Sequence, residues 1–365
     1  MGNNRNHIPV EIIDQILYNL PVKSLLRFKC VSKSWLSMIT DKDFVKRHLK
    51  KSSADPRFTH HKIIVKSHDK STNYYNLGSC SLGYLYEETY EKNPRTQILI
   101  DRPLAKWCFD FRILGACNGL VLMFAETGHL FLWNPTTTDA KHIPSVYFDG
   151  RCDSSVREFM YGFAYDEAND DYKVVCFYLH SKPFQTKMYS LKGNYWKKID
   201  NFEKGSPGCR SGAGKLVNGK LHWLATDSRR AWGWWDIVSF NFSDEKFEIV
   251  PCPRQYMSNY GRNIPKLVTL GGYLGLICPE RQKGTSVWVM IEYGDAESWT
   301  RVWTTKSSGY GELWVTKNGD IAVAYGSYIV VYNGRKKLRQ FRIDMVGANF
   351  VPDVYVESLV SPSTH

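Results

Sequence analysis

Apolar and polar residues follow two different periods along this chain, and the change falls near residue 50. Before it, apolar side chains recur every three to four positions, the spacing of one helix face. Ile12, Ile13, Ile16, Leu17 and Leu20 form a first stripe, and Pro9 suits the opening turn because its missing N–H costs nothing there. Pro21 stops that helix and opens a second one carrying Leu25, Leu26 and Phe28. Ser32 is placed to cap a third helix with Trp35, Leu36 and Ile39, and Asp41 a fourth with Phe44, Val45 and Leu49. A module of about forty residues cannot bury four such stripes by itself. Part of this apolar surface must meet the rest of the chain or another protein.

From about residue 110 the period shortens to that of strands, and a unit of about fifty residues repeats. A turn signal precedes an apolar strand at Asn118-Gly119, Asn169-Asp170-Asp171, Asn218-Gly219, Gly271-Gly272 and Asn318-Gly319. Further strands follow at comparable offsets, such as Leu130-Phe131-Leu132-Trp133, Val238-Ser239-Phe240-Asn241 and Ile329-Val330-Val331-Tyr332. Four strands per unit is the pattern of propeller blades. Residues 61–105 hold a degenerate sixth unit, and the strand expected over Val354–Leu359 closes the ring. The expected fold is mainly β with a small α-helical N-terminal module: a β-propeller-like domain of about six blades, with a large β-sandwich as the alternative packing. The expected boundaries are helices over 1–50, a linker over 51–61, the β domain over 62–360 and a tail over 361–365.

Composition supports this division. Aromatic residues make up 14% of the chain (12 Trp, 22 Tyr, 18 Phe), and aromatics favour strands. The net charge of +12 points to an acidic partner, yet the basic residues are scattered and Arg335-Lys336-Lys337 is the densest run. No zinc-finger spacing or RNA-binding signature accompanies them, so nucleic acid is disfavoured. The nine cysteines form no C-x-x-C pair, which argues against a zinc site or a disulfide framework and fits a reducing compartment, cytoplasm or nucleus. No apolar run is long enough to span a membrane.

The run from Ile8-Pro9-Val10-Glu11-Ile12 through Leu20-Pro21-Val22-Lys23-Ser24-Leu25-Leu26 to Val31-Ser32-Lys33-Ser34-Trp35 resembles a plant F-box. Ile8 stands where that family usually has Leu. The resemblance implies docking to a Skp-type adaptor, and through it to a cullin. It assigns adaptor contact to Ile8, Pro9, Ile12, Leu17, Leu20, Leu25, Leu26 and Val31, with Ser32 and Trp35 shaping the turn and core. Residues 8–50 hold eight Lys/Arg against four Asp/Glu, which suits an acidic adaptor. Further on, Cys117-Asn118-Gly119-Leu120, Leu132-Trp133-Asn134-Pro135-Thr136-Thr137 and Asn218-Gly219-Lys220-Leu221-His222-Trp223-Leu224 are similar to the plant F-box-associated interaction domain. Together these imply the substrate-recognition subunit of a Skp–cullin–F-box ubiquitin ligase, which captures a protein for ubiquitination and carries no catalytic residue. The alternative is an adaptor-independent basic propeller that binds nucleic acid or an acidic protein.

The long connections fall between the second and third strands of each unit and between units, on one face of a propeller. Binding residues concentrate on loops held by a rigid scaffold. Arg229-Arg230-Ala231-Trp232-Gly233-Trp234-Trp235 is the richest such loop, since Trp and Arg dominate interface hot spots. Phe184, Tyr256, Tyr260, Arg262 and Arg281 are secondary candidates, and the excess of basic residues favours an acidic protein target. Catalytic patterns are weak. Gly214-Lys215 is followed by Leu216 rather than Ser or Thr, no Gly-x-Ser-x-Gly elbow occurs, and the histidines lack metal-ligand spacing. No cofactor or metal is expected.

Overall fold

Four helices lead into six small antiparallel sheets. The computed structural model describes residues 8–55, 59–69, 74–85, 97–98, 111–125, 128–146, 159–178, 185–202, 206–207, 213–226, 235–253, 265–280, 284–305, 313–315, 319–325, 328–334, 336–342 and 353–363. The helices are α1 (Val10–Tyr18), α2 (Val22–Phe28), α3 (Lys33–Thr40) and α4 (Lys42–Ala54), so the last runs past the boundary expected at residue 50. Their starts obey local chemistry. Ser32 Oγ accepts from the Trp35 N–H at 3.1 Å, and Asp41 Oδ1 accepts from the Asp43 and Phe44 N–H groups at 3.0 Å each. Pro9 and Pro21 occupy the positions just before α1 and α2.

Each sheet is a blade of a six-bladed propeller, which rules out the sandwich. Blade two is typical: Phe111–Cys117, Leu120–Ala125, Leu130–Trp133 and Ala140–Ile143 pair in sequence order. Asn118 and Gly119 form its first turn with φ of 53° and 84°, and Cys117 lies opposite Leu120. A two-residue hairpin with both residues left-handed matches the twist of the strands it joins. Asn218-Gly219 and Gly271-Gly272 repeat it in blades four and five. In blade three, Asp166 lies opposite Asp171, so the turn is longer and Asp170 alone is left-handed. Gly319 lies in a still longer connection between Val315 and Ile321 of blade six.

Burial explains why the inner strands do not alternate. Every residue of Leu120–Ala125 and of Leu130–Trp133 is buried, because each blade packs between two others. The outer strand Tyr195–Ile199 of blade three is mixed instead, with Tyr195, Lys197 and Lys198 exposed and Trp196 and Ile199 buried. Tryptophans stitch neighbouring blades together. Trp223 of blade four lies against Gly162 of blade three, donating to the Tyr161 carbonyl at 3.2 Å, and a Cβ at Gly162 would fall 2.4 Å from its ring. Trp196 and Trp299, on the outer strands of blades three and five, donate to the Pro144 and Pro251 carbonyls of the preceding blades at 2.8 Å each.

Blade one is assembled from both ends of the chain. Asp353–Val356 pairs with His61–Asp69, which pairs with Tyr74–Ser81 and then Gln97–Ile98. The closing strand is shorter than expected: it ends at Val356, and residues 357–363 leave the sheet toward the helices. The expected tail is tied down as well, since Ser361 and Ser363 both donate to the Asp139 carboxylate.

Candidate functional site: the helical module and the opposite face

The helical module has a core of its own. Leu17, Val22, Leu25, Ile39 and Phe44 are buried together, and Leu359 from the far end of the chain completes them. Trp35 packs edge-on against Phe28 with ring centres 5.4 Å apart. The sequence reading therefore needs a correction. Leu17 and Leu25, expected as adaptor contacts, are fully buried and hold the helices together instead of offering surface. Leu20, Leu26 and Trp35 are partly buried against the same core, and Ser32 is exposed as the α3 cap.

The remaining apolar residues face outward. Ile8, Val10, Ile12, Ile16, Val31 and Leu36 range in exposure from 43% at Leu36 to 58% at Val31. They are six of the thirteen exposed large apolar side chains among the described residues, all within residues 8–36. That is a high density of exposed apolar side chains for so short a segment, of the kind that contact surfaces carry. Pro9 is exposed beside them. The sequence reading missed Val10, Ile16 and Leu36, although Ile16 lies one helical turn from Ile12 and shares its face.

The module is mounted on one face of the propeller. Leu49 and Val45 of α4 join the core formed by Leu120, Leu122, Tyr172 and Val360. Lys46 pairs with Asp170, in the first turn of blade three, at 2.7 Å. Consecutive residues 359 and 360 enter opposite cores: Leu359 enters the helical module and Val360 the propeller. Asn134, fully buried in the turn after Leu130–Trp133, holds them by donating to the Ser358 and Val360 carbonyls at 3.0 and 2.7 Å. The helices thus cover the face of the short turns. The second strands end on the other face, at Tyr178, Thr226 and Glu280; the connection expected to be long after Glu280 is short, because Glu280 lies opposite Gly284.

Of the expected receptor residues, Arg229, Arg230, Trp232, Trp234, Phe184, Tyr256, Tyr260, Arg262 and Arg281 lie outside the described residues. Trp235 is a correction. It begins the strand Trp235–Asn241, lies opposite Thr226 and is buried with Ile237, Leu267 and Trp288, so it belongs to the core.

Reactive chemistry is sparse among the described residues. Burial pushes the Cys80, Cys117 and Cys252 thiols up to about 12, away from nucleophilic thiolate. His222 is buried between the Lys215 carbonyl and the Tyr293 hydroxyl, and desolvation lowers it to about 4. Gly214-Lys215 is no phosphate loop: a Cβ at Gly214 would meet the Trp223 ring, and Lys215 opens an inner strand. Among the described residues no group of three His, Cys, Asp or Glu is placed to hold a metal.

Residues 6–47 match the F-box domain family, and residues 61–362 match the F-box associated beta propeller domain family. An F-box/kelch-repeat protein of Arabidopsis thaliana is 29% identical over 369 residues, covering 98% of this chain and 96% of that protein. The F-box protein CPR1 of the same plant is 28% identical over 321 residues, covering 82% of this chain and 73% of CPR1. Among solved structures, TolB from Acinetobacter baumannii is similar with a TM-score of 0.52 at 10% identity, over 84% of this chain and 70% of TolB. A chain of a nidogen–laminin complex gives 0.50 at 9% identity, over 82% and 99%. These two likenesses are of fold alone. Matched along both its helical module and its ring of blades, the chain belongs to the F-box proteins that carry an F-box-associated β-propeller domain.

Proposed function

We propose that this protein is the substrate receptor of a Skp–cullin–F-box ubiquitin ligase. The observation that carries the reading is the exposed apolar surface of Ile8, Val10, Ile12, Ile16, Val31 and Leu36 on a module whose own core is already complete. A Skp-type adaptor docks there and links the protein to a cullin. The target protein is taken on the face opposite the helices, where the long connections leave the blades. No group of the chain takes part in bond making: it raises the local concentration of target near the conjugating enzyme. Six free cysteines among the described residues, three of them buried, support a cytoplasmic or nuclear location.

The test is adaptor capture by the full chain. Ile12→Asp combined with Val31→Asp places two carboxylates in the proposed contact without touching the module's core, and binding of a Skp-type adaptor should weaken at least a hundredfold. Tyr195→Asp, on an exposed apolar side chain of blade three, should leave it unchanged. Failure of the wild-type chain to bind any such adaptor would refute the reading and favour an adaptor-independent propeller.

A further inference from the structure

Where the helices meet the propeller they leave a cavity of about 980 Å³. Its size is that of a site for a small organic molecule, and a junction between two packed units is where such sites commonly form. Its apolar wall comes from Leu26, Val45 and Leu49 of the helices and Leu359 and Val360 of the C-terminal segment. This mounting does not close the gap.

The charges on the walls are unequally satisfied. On the propeller side, Asp170 pairs with Lys46 at 2.7 Å and accepts from the Tyr165 hydroxyl, while Asp139 accepts from the hydroxyls of Ser361 and Ser363. Glu167 stands exposed at the rim. On the helix side, Lys29 is half-buried, and Asp139 acts on it through space without forming an ion pair. Desolvation holds the Lys29 ammonium below its ordinary range, so an anion reaching it would gain more than at an exposed lysine. The cavity is lined by four lysines (Lys29, Lys42, Lys46 and Lys50) against three carboxylates (Asp139, Glu167 and Asp170), a balance of one positive charge that suits a single negative group better than several. A molecule with one negative group and an apolar body fits both walls. Asn118, Thr137 and Tyr172 add polar atoms that can orient it.

We propose that the F-box–propeller junction is a binding site for a small organic monoanion, its apolar body lying on Val45, Leu49, Leu359 and Val360 and its charge seated by Lys29. A ligand there touches both units, so it stabilises their docked arrangement by an amount that grows with the logarithm of its concentration above its dissociation constant.

The probe is anilinonaphthalene sulfonate, an aromatic monoanion whose fluorescence rises on leaving water, titrated into the full-length protein. One saturable site is expected. Lys29→Gln should weaken it at least tenfold, Val45→Trp should obstruct the apolar wall and weaken it at least tenfold, and Lys50→Gln at the exposed rim should change it less than twofold. Tripolyphosphate should not compete. Probe affinity within twofold of wild type in both Lys29→Gln and Val45→Trp would overturn the proposal, as would competition by tripolyphosphate at similar concentration. Circular dichroism of each variant separates loss of the site from loss of the fold. Adaptor capture, measured on the same Lys29→Gln protein, tests the receptor reading separately.

Discussion

Asn134 is one polar side chain on which the joining of the two units depends, and Asn134→Asp tests that dependence. The asparagine is fully buried and uses both ends of its amide. Its nitrogen donates to the Ser358 and Val360 carbonyls, and its oxygen accepts from the Thr136 and Thr137 N–H groups at 2.8 and 3.3 Å. Aspartate keeps the shape and the accepting end but replaces the donor with a carboxylate oxygen facing two carbonyl oxygens. Each buried carbonyl left without its donor costs about 1–3 kcal/mol, so the pair is worth about 2–6 kcal/mol before any charge repulsion. The segment that carries them can escape by detaching, which withdraws Leu359 and Val360 from their cores. Local release then caps the global loss. Urea unfolding followed by tryptophan fluorescence should show a loss of at least about 2 kcal/mol. Hydrogen exchange should quicken in residues 357–361 and in α4, with Lys220–Thr226 of blade four unchanged. A loss below about 1 kcal/mol, or unchanged exchange in 357–361, would refute the assignment of this bond pair as the tie between the units.

Three further outcomes follow from the same geometry. Gly119→Ala brings a Cβ within 2.1 Å of Ser358 Oγ at a φ of +84°, whereas Gly219→Ala, at +70°, meets open space. The second should cost only the left-handed penalty of about 1 kcal/mol, and the first at least twice that by urea unfolding. His222 is neutral in the fold because burial lowers it from 6.5 to about 4, so its contribution is complete above pH 6.5 and is lost as pH falls toward 4. Stability should drop by about 3 kcal/mol across that window, and His222→Gln should flatten the slope. Lys46→Ala breaks an ion pair whose side chains are 49% and 43% exposed, and its cost should stay below about 0.5 kcal/mol in the same assay.

Local signals were read correctly where one short segment decides the structure. Asn118-Gly119 makes its hairpin because both residues tolerate positive φ, and Ser32 and Asp41 cap their helices through their own side chains. The candidate site was less legible. A helical period shows that Ile12, Ile16 and Leu17 lie on or near one apolar stripe, but not which members the other helices cover. Leu17 disappears under Phe44 and Leu359, while Ile16 stays in solvent. Trp235 looked like part of an aromatic binding loop, yet the register opposite Thr226 pulls it into the blade core. The resemblance marked Asn134 as one member of a motif, without any hint that its amide partners are carbonyls at the other end of the chain.

The helical module, the turn-and-strand unit and the family were legible in the sequence alone, because each rests on residues close along the chain, whereas the count of about six blades was settled by the closed ring. Only the tertiary structure decided which apolar residues remain outward on the module, which face of the propeller it covers, and what the last residues do. Those outcomes depend on ring closure: pairing Asp353–Val356 with His61–Asp69 carries Ser358, Leu359 and Val360 to the base of the helices. A contact between the two ends of a chain leaves no periodicity in either of them, since each residue only has to fit a surface built elsewhere.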